Sequence, residues 1–394
     1  MALSRRTFVT TVGIGAGAAL TSSIWGRGRE NSVWSAIEPD LQAVERGVIC
    51  IASNENPVGP GKAVLDHLRS LLEDGKKPGR YSNGTGALTE AICAHFKVKP
   101  ENVLLSEGST EILRAATQVF TTKTKPLVGT IPTYEECAGY AELIGNKVKG
   151  VSLNSEFKID LDQMAAAAKG SGMVFYCNPN NPTATYVGAK ATRDFLAKVN
   201  STSPDTTILV DEAYFDYVTD PDHDTHIPVA LENPRVIVAR TFSKAYGMAG
   251  LRQGYAIAHP DTIKQMRQWT ASSGTGSLNV FGMAAATVAI AQDASFTTNE
   301  RNRNKAVRDM VTKWFKDRGM KPTDCQANFM FVDIGTPAKA FREACRAKGV
   351  MVARDFPPFE KTHARISLGT MEEMTKAVQV FGEVLGKKTT SAAA

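Results

Sequence analysis

The chain has no Cys-x-x-Cys pair, no long uninterrupted apolar run and no stretch where basic residues interleave with aromatics. The first absence removes the usual zinc and dithiol redox spacings. The six cysteines, Cys50, Cys93, Cys137, Cys177, Cys325 and Cys345, mostly lie in apolar segments and are expected to be buried free thiols. In an oxidising compartment a disulfide would be open to them, and the sequence does not say which two would pair. The second absence argues against stable membrane insertion. The third argues against nucleic-acid binding. No internal repeat is visible either, so solenoids and propellers are set aside.

What is present is an ordinary globular composition, 43% hydrophobic and 22% charged, over 394 residues. That length suffices for two domains with full cores. The formal charge of +6 is inflated by Arg5, Arg6, Arg27 and Arg29. Without the first thirty residues, 42 basic residues face 39 acidic ones. Ser4-Arg-Arg-Thr-Phe8, followed by a Gly/Ala-rich apolar run to Leu20, has the form of a twin-arginine export signal over residues 1–30. A periplasmic location is therefore expected, and a cytoplasmic one if the signal does not function.

Apolar strands then alternate with helical patterns. Strands are expected at Val48–Ala52, Val103–Leu105, Pro126–Gly129, Gly172–Cys177, Thr207–Val210 and Arg235–Arg240. This predicts an α/β fold, a mostly parallel sheet covered by helices on both faces. After Gly254 the pattern changes to long helices, then to strands at Ala327–Val332, Val350–Arg354 and Ala364–Leu368, and a last helix ending near Leu385. That is a smaller α+β domain.

The polar clusters fall where the large-domain strands end, which is where ligands bind in such sheets. Lys244 lies between Ser243 and a small-residue turn carrying Arg252. An amine, a hydroxyl and a guanidinium together suit a covalently held, phosphorylated aldehyde. Asp211 closes an apolar strand, and a carboxylate there calls for a cation such as a protonated pyridine nitrogen. Tyr214 and Asn181 can donate to a ring oxygen, and Tyr134 can stack on a ring. Gly108-Ser109-Thr110 opens a helix whose free N–H groups suit a phosphate. Each residue also has a plain structural reading: a surface lysine, a helix cap, a turn, a half-buried aromatic. Their joint occurrence in this order is what carries the inference.

On these segments the chain resembles a fold-type I, pyridoxal-phosphate-dependent aminotransferase of the histidinol-phosphate aminotransferase group. The matching stretches are Asn54-Glu-Asn-Pro57, Arg80-Tyr81, Gly108–Leu113, Pro132-Thr-Tyr134, Asn178–Thr183, Asp211–Tyr214, Thr241–Arg252, Gln326-Ala-Asn328 and Arg365–Thr370. The resemblance implies that Lys244 is the Schiff-base lysine and the proton shuttle of a ping-pong transfer between an amino acid and a 2-oxo acid. It implies that Asp211 holds the pyridinium, that Asn181 and Tyr214 hold the ring oxygen and that Tyr134 stacks on the ring. Ser109, Thr110, Ser243 and Arg252 would bind the phosphate, joined by Tyr81 of a second subunit in a homodimer. Arg365 would grip the substrate carboxylate, with Asn328 and Asn54 near it. Arg354 would either reach the far end of the substrate or make a surface salt bridge. The implied organisation is an N-terminal arm over 31–60, a large cofactor domain over 61–275, a small domain over 276–388 and a tail over 389–394.

The chain departs from the family pattern at the pocket wall. Ser82-Asn83 follows Arg80-Tyr81 where Pro-Asp is usual, Thr110 stands where Asp is common, and Ala184 replaces a glycine. A threonine-phosphate type decarboxylase on the same scaffold, and an exported binding protein without turnover, are the competing expectations. Asp222-His-Asp-Thr-His226 has metal-binding residue types, but its polar setting predicts a solvated loop and no metal.

Overall fold

The computed structural model describes residues 47–75, 79–81, 84–273, 277–292 and 295–386. The expected export signal, most of the N-terminal arm and the tail lie outside the described residues. Twelve strands are described: β1 Ile49–Ile51, β2 Val103–Ser106, β3 Leu127–Ile131, β4 Val148–Ser152, β5 Met173–Cys177, β6 Thr207–Asp211, β7 Val236–Thr241, β8 Gly254–Ala258, β9 Lys321–Pro322, β10 Phe329–Asp333, β11 Val350–Val352 and β12 His363–Ser367.

Seven of them form one sheet in the order β2-β8-β7-β6-β5-β3-β4. All run the same way except β8, which is antiparallel to both its neighbours. The continuous apolar strands follow from burial on both faces. In β5, Val174 and Tyr176 pack into one core, while Met173, Phe175 and Cys177 pack into the core on the opposite face. The same alternation recurs in β6 and β7, where Ile208, Val210, Val236 and Val238 oppose Leu209, Ile237 and Ala239.

A third core surrounds the antiparallel sheet β12-β10-β9, built from Phe315, Phe329, Phe341, Phe381 and their aliphatic neighbours. The amphipathic helices Ser295–Lys316 and Met371–Leu385 cover it. The second of these begins with a capping box, Thr370 with Glu373. β1 pairs in parallel with β11 and brings the segment before Asn54 into this region. Among the described residues no single helix is long and apolar enough to cross a membrane.

The fold is thus the expected α/β arrangement with a smaller α+β portion. Two strands of the large sheet fell outside the expectation. β4 is an edge strand with exposed Lys149 and Gly150, which lacks the apolar run of its neighbours. β8 follows the Lys244 turn directly and runs back along β7.

Candidate active site

The carboxyl ends of β2, β3, β5, β6 and β7 share one edge of the sheet, because these five strands are co-directional. That places Ser109, Tyr134, Asn181, Asp211 and Lys244 around one cleft. β8 starts at the same edge and carries Arg252 just before it.

Close backbone approach builds the anion end of the cleft. The helix Ser109–Phe120 begins at Gly108, whose φ is +75°, and no side chain caps its free N–H groups. A Cβ on Gly108 would lie 2.4 Å from Arg252 Nη2, and one on Gly254 would lie 2.3 Å from the Ser109 amide nitrogen. Gly254 therefore cannot carry a Cβ against that backbone, and Gly108 favours glycine through its positive φ. The result is a guanidinium held beside a helix N-terminus, which is an anion site. Arg252 Nη1 lies 3.4 Å from Ser243 Oγ and donates to the Ala249 carbonyl at 2.8 Å. Thr110 shares a hydrogen bond with the Tyr134 phenol, which burial pushes up to about 12 and so keeps protonated.

Asp211 is buried. One oxygen accepts from the Ala213 N–H at 3.1 Å, and the other has only the Cys177 thiol at 4.0 Å. Among the described residues no cation makes a salt bridge with it, and burial raises it to about 7. This half-satisfied carboxylate is a place for a cation to be bound.

Lys244 donates to the Ser53 carbonyl at 3.2 Å and sits 5.6 Å from the Tyr214 ring centre. The 53–59 loop lies over it. Asn56 Nδ2 donates to the Ala245 carbonyl at 2.9 Å, and Gly59 meets Gly247 so closely that a Cβ on the latter would overlap it. Crowding around the amine, then the charge of Arg365, lower Lys244 to about 8, so a useful fraction is neutral near pH 7.

Tyr214 accepts from Asn54 Nδ2 at 3.2 Å and from Asn181 Nδ2 at 3.5 Å. Burial raises its phenol far from ionisation. With both lone pairs engaged, its own proton is left to donate. Arg365 Nη1 donates to Asn181 Oδ1 at 2.8 Å and Nη2 to the Ala52 carbonyl at 2.6 Å, while Nε is buried without a partner. Burial lowers Arg365 to about 10, which leaves it charged at neutral pH. Asn328 Nδ2 donates to the Asn54 carbonyl at 2.9 Å, and its Oδ1 is also buried and unpaired. Asn54 is thereby locked, with φ of +56° and Ser367 Oγ at 2.7 Å from its Oδ1.

Tyr81 and Arg354 stay outside this hydrogen-bonded set, and for Arg354 the structure shows the salt bridge that was one of its two expected roles. Tyr81 is 84% exposed. Arg354 is ion-paired to Glu135, a residue the sequence reading did not single out. The only signal was an acid immediately after Tyr134. The solvated-loop expectation for Asp222 to His226 needs correction at the last residue only. His226 is buried, with Nδ1 3.1 Å from Glu212 Oε1, and Asp222 Oδ2 accepts from the Lys190 N–H at 3.1 Å. His226 thus joins the fold's polar scaffold, while Asp222 and Asp224 stay exposed, as expected of a solvated loop. Sequence reasoning also missed Asn180, whose Oδ1 accepts from Thr133 at 2.7 Å and whose Nδ2 donates to the Pro132 carbonyl at 3.1 Å, tying the Tyr134 turn to the Asn181 turn.

A lysine of lowered basicity, an unpaired buried carboxylate and an anion cradle on one strand edge define an enzyme that works through a phosphorylated, cationic-ring cofactor. Comparison with known proteins agrees. The family model for aminotransferase class I and II matches residues 46–381. The histidinol-phosphate aminotransferase of Moorella thermoacetica is 33% identical over 347 residues, 86% of each chain. That of Bacillus subtilis is 31% identical over 344 residues, 86% of this chain and 92% of the relative. Among solved structures, a putative histidinol-phosphate aminotransferase from Erwinia carotovora atroseptica superposes with a TM-score of 0.78 at 31% identity, covering 85% and 95% of the two chains. The Sinorhizobium meliloti histidinol-phosphate aminotransferase in complex with pyridoxal-5'-phosphate gives 0.79 at 25% identity, covering 90% and 97%.

The chain belongs to the aminotransferase class I and II family. It is a fold-type I, pyridoxal-phosphate-dependent aminotransferase, and neither the decarboxylase nor the binding-protein expectation is favoured. The residues present fit the cofactor. The Gly108–Arg252 cradle suits its phosphate, and Asp211 lacks the cation its ring would bring.

Proposed function

We propose that this transaminase has the site plan of the histidinol-phosphate aminotransferase group, with Lys244 as its catalytic residue, and that it acts as an exported homodimer. The observation that carries the reading is the meeting of Lys244, Asp211 and the Gly108–Arg252 cradle on one strand edge. Bound there, pyridoxal phosphate supplies a carbonyl carbon that takes the amino group and a cationic ring that draws electrons from the substrate Cα.

The protein residues do the rest. Ser109, Thr110, Ser243 and Arg252 hold the phosphate end. Asp211 keeps the ring nitrogen protonated, while Asn181 and Tyr214 orient the ring oxygen and Tyr134 covers the ring face. Arg365 takes the substrate carboxylate as a planar fork, using the second protons of its terminal nitrogens. The Lys244 amine, neutral in part at pH 7, moves a proton at the substrate Cα.

Lys244→Ala is expected to lower kcat by at least about 10³-fold while the phosphate cradle keeps binding cofactor. Near-normal turnover in this variant would sink the assignment. The homodimer is supported by the exposed position of Tyr81. The export reading rests on Ser4-Arg-Arg-Thr-Phe8 alone. Changing Arg5 and Arg6 to Lys should strand the protein in the cytoplasmic fraction, and unaltered export would refute it.

A further inference from the structure

Glu135 follows Tyr134 directly and opens the helix Glu136–Leu143, yet its carboxylate makes no cap for that helix. It is instead ion-paired with Arg354 Nη2. Each side chain of the pair is 29% exposed, so the two are mostly desolvated yet not sealed off. Arg354 and Arg365 stand over the same ring, with guanidinium carbons 4.5 Å and 4.6 Å from the centre of Phe356. Glu135, Arg354, Tyr134 and Tyr214 all act on the charge of Arg365. The pair therefore belongs to the wall of the substrate pocket, one guanidinium away from the group placed on the substrate carboxylate.

Arg365 has no acidic partner among its hydrogen bonds and is free to meet one carboxylate. Arg354 is already neutralised. A substrate whose side chain ended in a second anion would have to displace Glu135 from Arg354 or lie beside it, and like charges so placed disfavour that substrate. A side chain ending in a neutral or cationic nitrogen donor would meet a ready acceptor in Glu135.

We propose that Glu135 is a specificity-determining residue. It occupies Arg354 and selects amino-acid substrates whose distal group is a nitrogen donor over those whose distal group is a carboxylate. This rests on Arg365 taking the substrate carboxylate, as in the function proposed above.

The test compares glutamate with glutamine as amino donors, since the two differ only at the distal group. Holoenzyme should use glutamine better. Glu135→Gln, which frees Arg354 to grip a distal carboxylate, should raise the glutamate-to-glutamine ratio of kcat/KM by about tenfold or more. Glu135→Asp, which keeps the charge, should leave the ratio closer to that of the parent enzyme. A merely structural role would move both donors together. A second readout uses unreactive probes, glutarate and its monoamide, titrated by calorimetry into both forms. Glutarate should bind Glu135→Gln about tenfold more tightly than the parent, and the monoamide should show no such gain.

A ratio unmoved by Glu135→Gln, a parent enzyme that prefers glutamate, or failure of both probes to bind would overturn the proposal. Should no form turn over any donor while the two probes separate as expected, the assignment of Lys244 fails and that of Glu135 stands.

Discussion

Asp211 and Lys244 hold opposite departures from their usual ionisation for one reason. Both are crowded out of water, and neither has a close counter-ion: burial holds the acid up at about 7 and the amine down at about 8. A carboxyl moved from 3.8 to about 7 places a penalty on the cofactor-free protein on the order of 4 kcal/mol. The sign is fixed by proton counting. Between pH 3.8 and about 7 the folded state holds a proton that the unfolded state has lost, so stability falls as pH rises through that window and the full penalty applies above it. Cofactor-free Asp211→Asn should accordingly melt higher than the cofactor-free parent at pH 8, an advantage that shrinks as pH approaches 4. The same variant should bind pyridoxal phosphate more weakly. Thermal melts across pH check the first half and equilibrium dialysis the second. A cofactor-free variant that melts lower than the parent at pH 8 would remove the unpaired-carboxylate argument.

The residues proposed to do the chemistry were legible because each sits at a strand end and is polar where the preceding residues are apolar. Glu135 was not legible, since its importance comes from Arg354, distant in the chain and brought near only by the fold. Ala184 shows another limit. It holds a left-handed φ of +58° where a glycine is common, a departure visible in the sequence without its remedy. The methyl is fully buried in the core around the three-stranded sheet, which offsets the backbone cost of about 1–2 kcal/mol.

Among elements, β6 and β7 matter most, because their ends carry Asp211 and the Lys244 turn. A buried ionic group ties them together. Arg240 on β7 donates from Nε to Glu212 Oε2 at 2.9 Å, and the His226 N–H reaches Glu212 Oε1 at 2.9 Å. The Arg240 guanidinium also lies 3.9 Å from the Phe215 ring centre. Burial alone would raise Glu212, but Arg240 and His226 outweigh it and hold it at about 2. The stabilisation is present above the usual carboxylate range and is lost as pH falls toward 2. Arg240→Leu would leave Glu212 buried without its guanidinium, at a cost of about 3–5 kcal/mol. Chemical denaturation at pH 7 should show that loss, and a change below about 1 kcal/mol would mean the group is incidental.

Most elements were predictable from apolar runs and helical spacing. β4 escaped because an exposed edge strand needs no such run, and β8 because its strand residues directly follow the glycine-rich turn that dominates the local pattern. The residues singled out in the sequence nevertheless meet on one strand edge, since that depends on co-directional strands and β8 only returns along them.

At the scale of the whole molecule, the proposed homodimer assigns the exposed Tyr81 to the partner's site. Mixing Lys244→Ala subunits with Tyr81→Ala subunits tests this. Each alone lacks one part of every site, while a mixed dimer has one site with both parts. Activity should reappear on mixing if the site is shared, and a mixture no more active than its components would contradict the shared site.

The central claim is that Lys244 carries the cofactor, and the most direct measurement is to reduce the holoenzyme with borohydride, digest it and locate the cofactor by mass. The account predicts the added mass on the peptide containing Lys244 and its absence in Lys244→Ala. The same mass on a different lysine of the parent enzyme would contradict it.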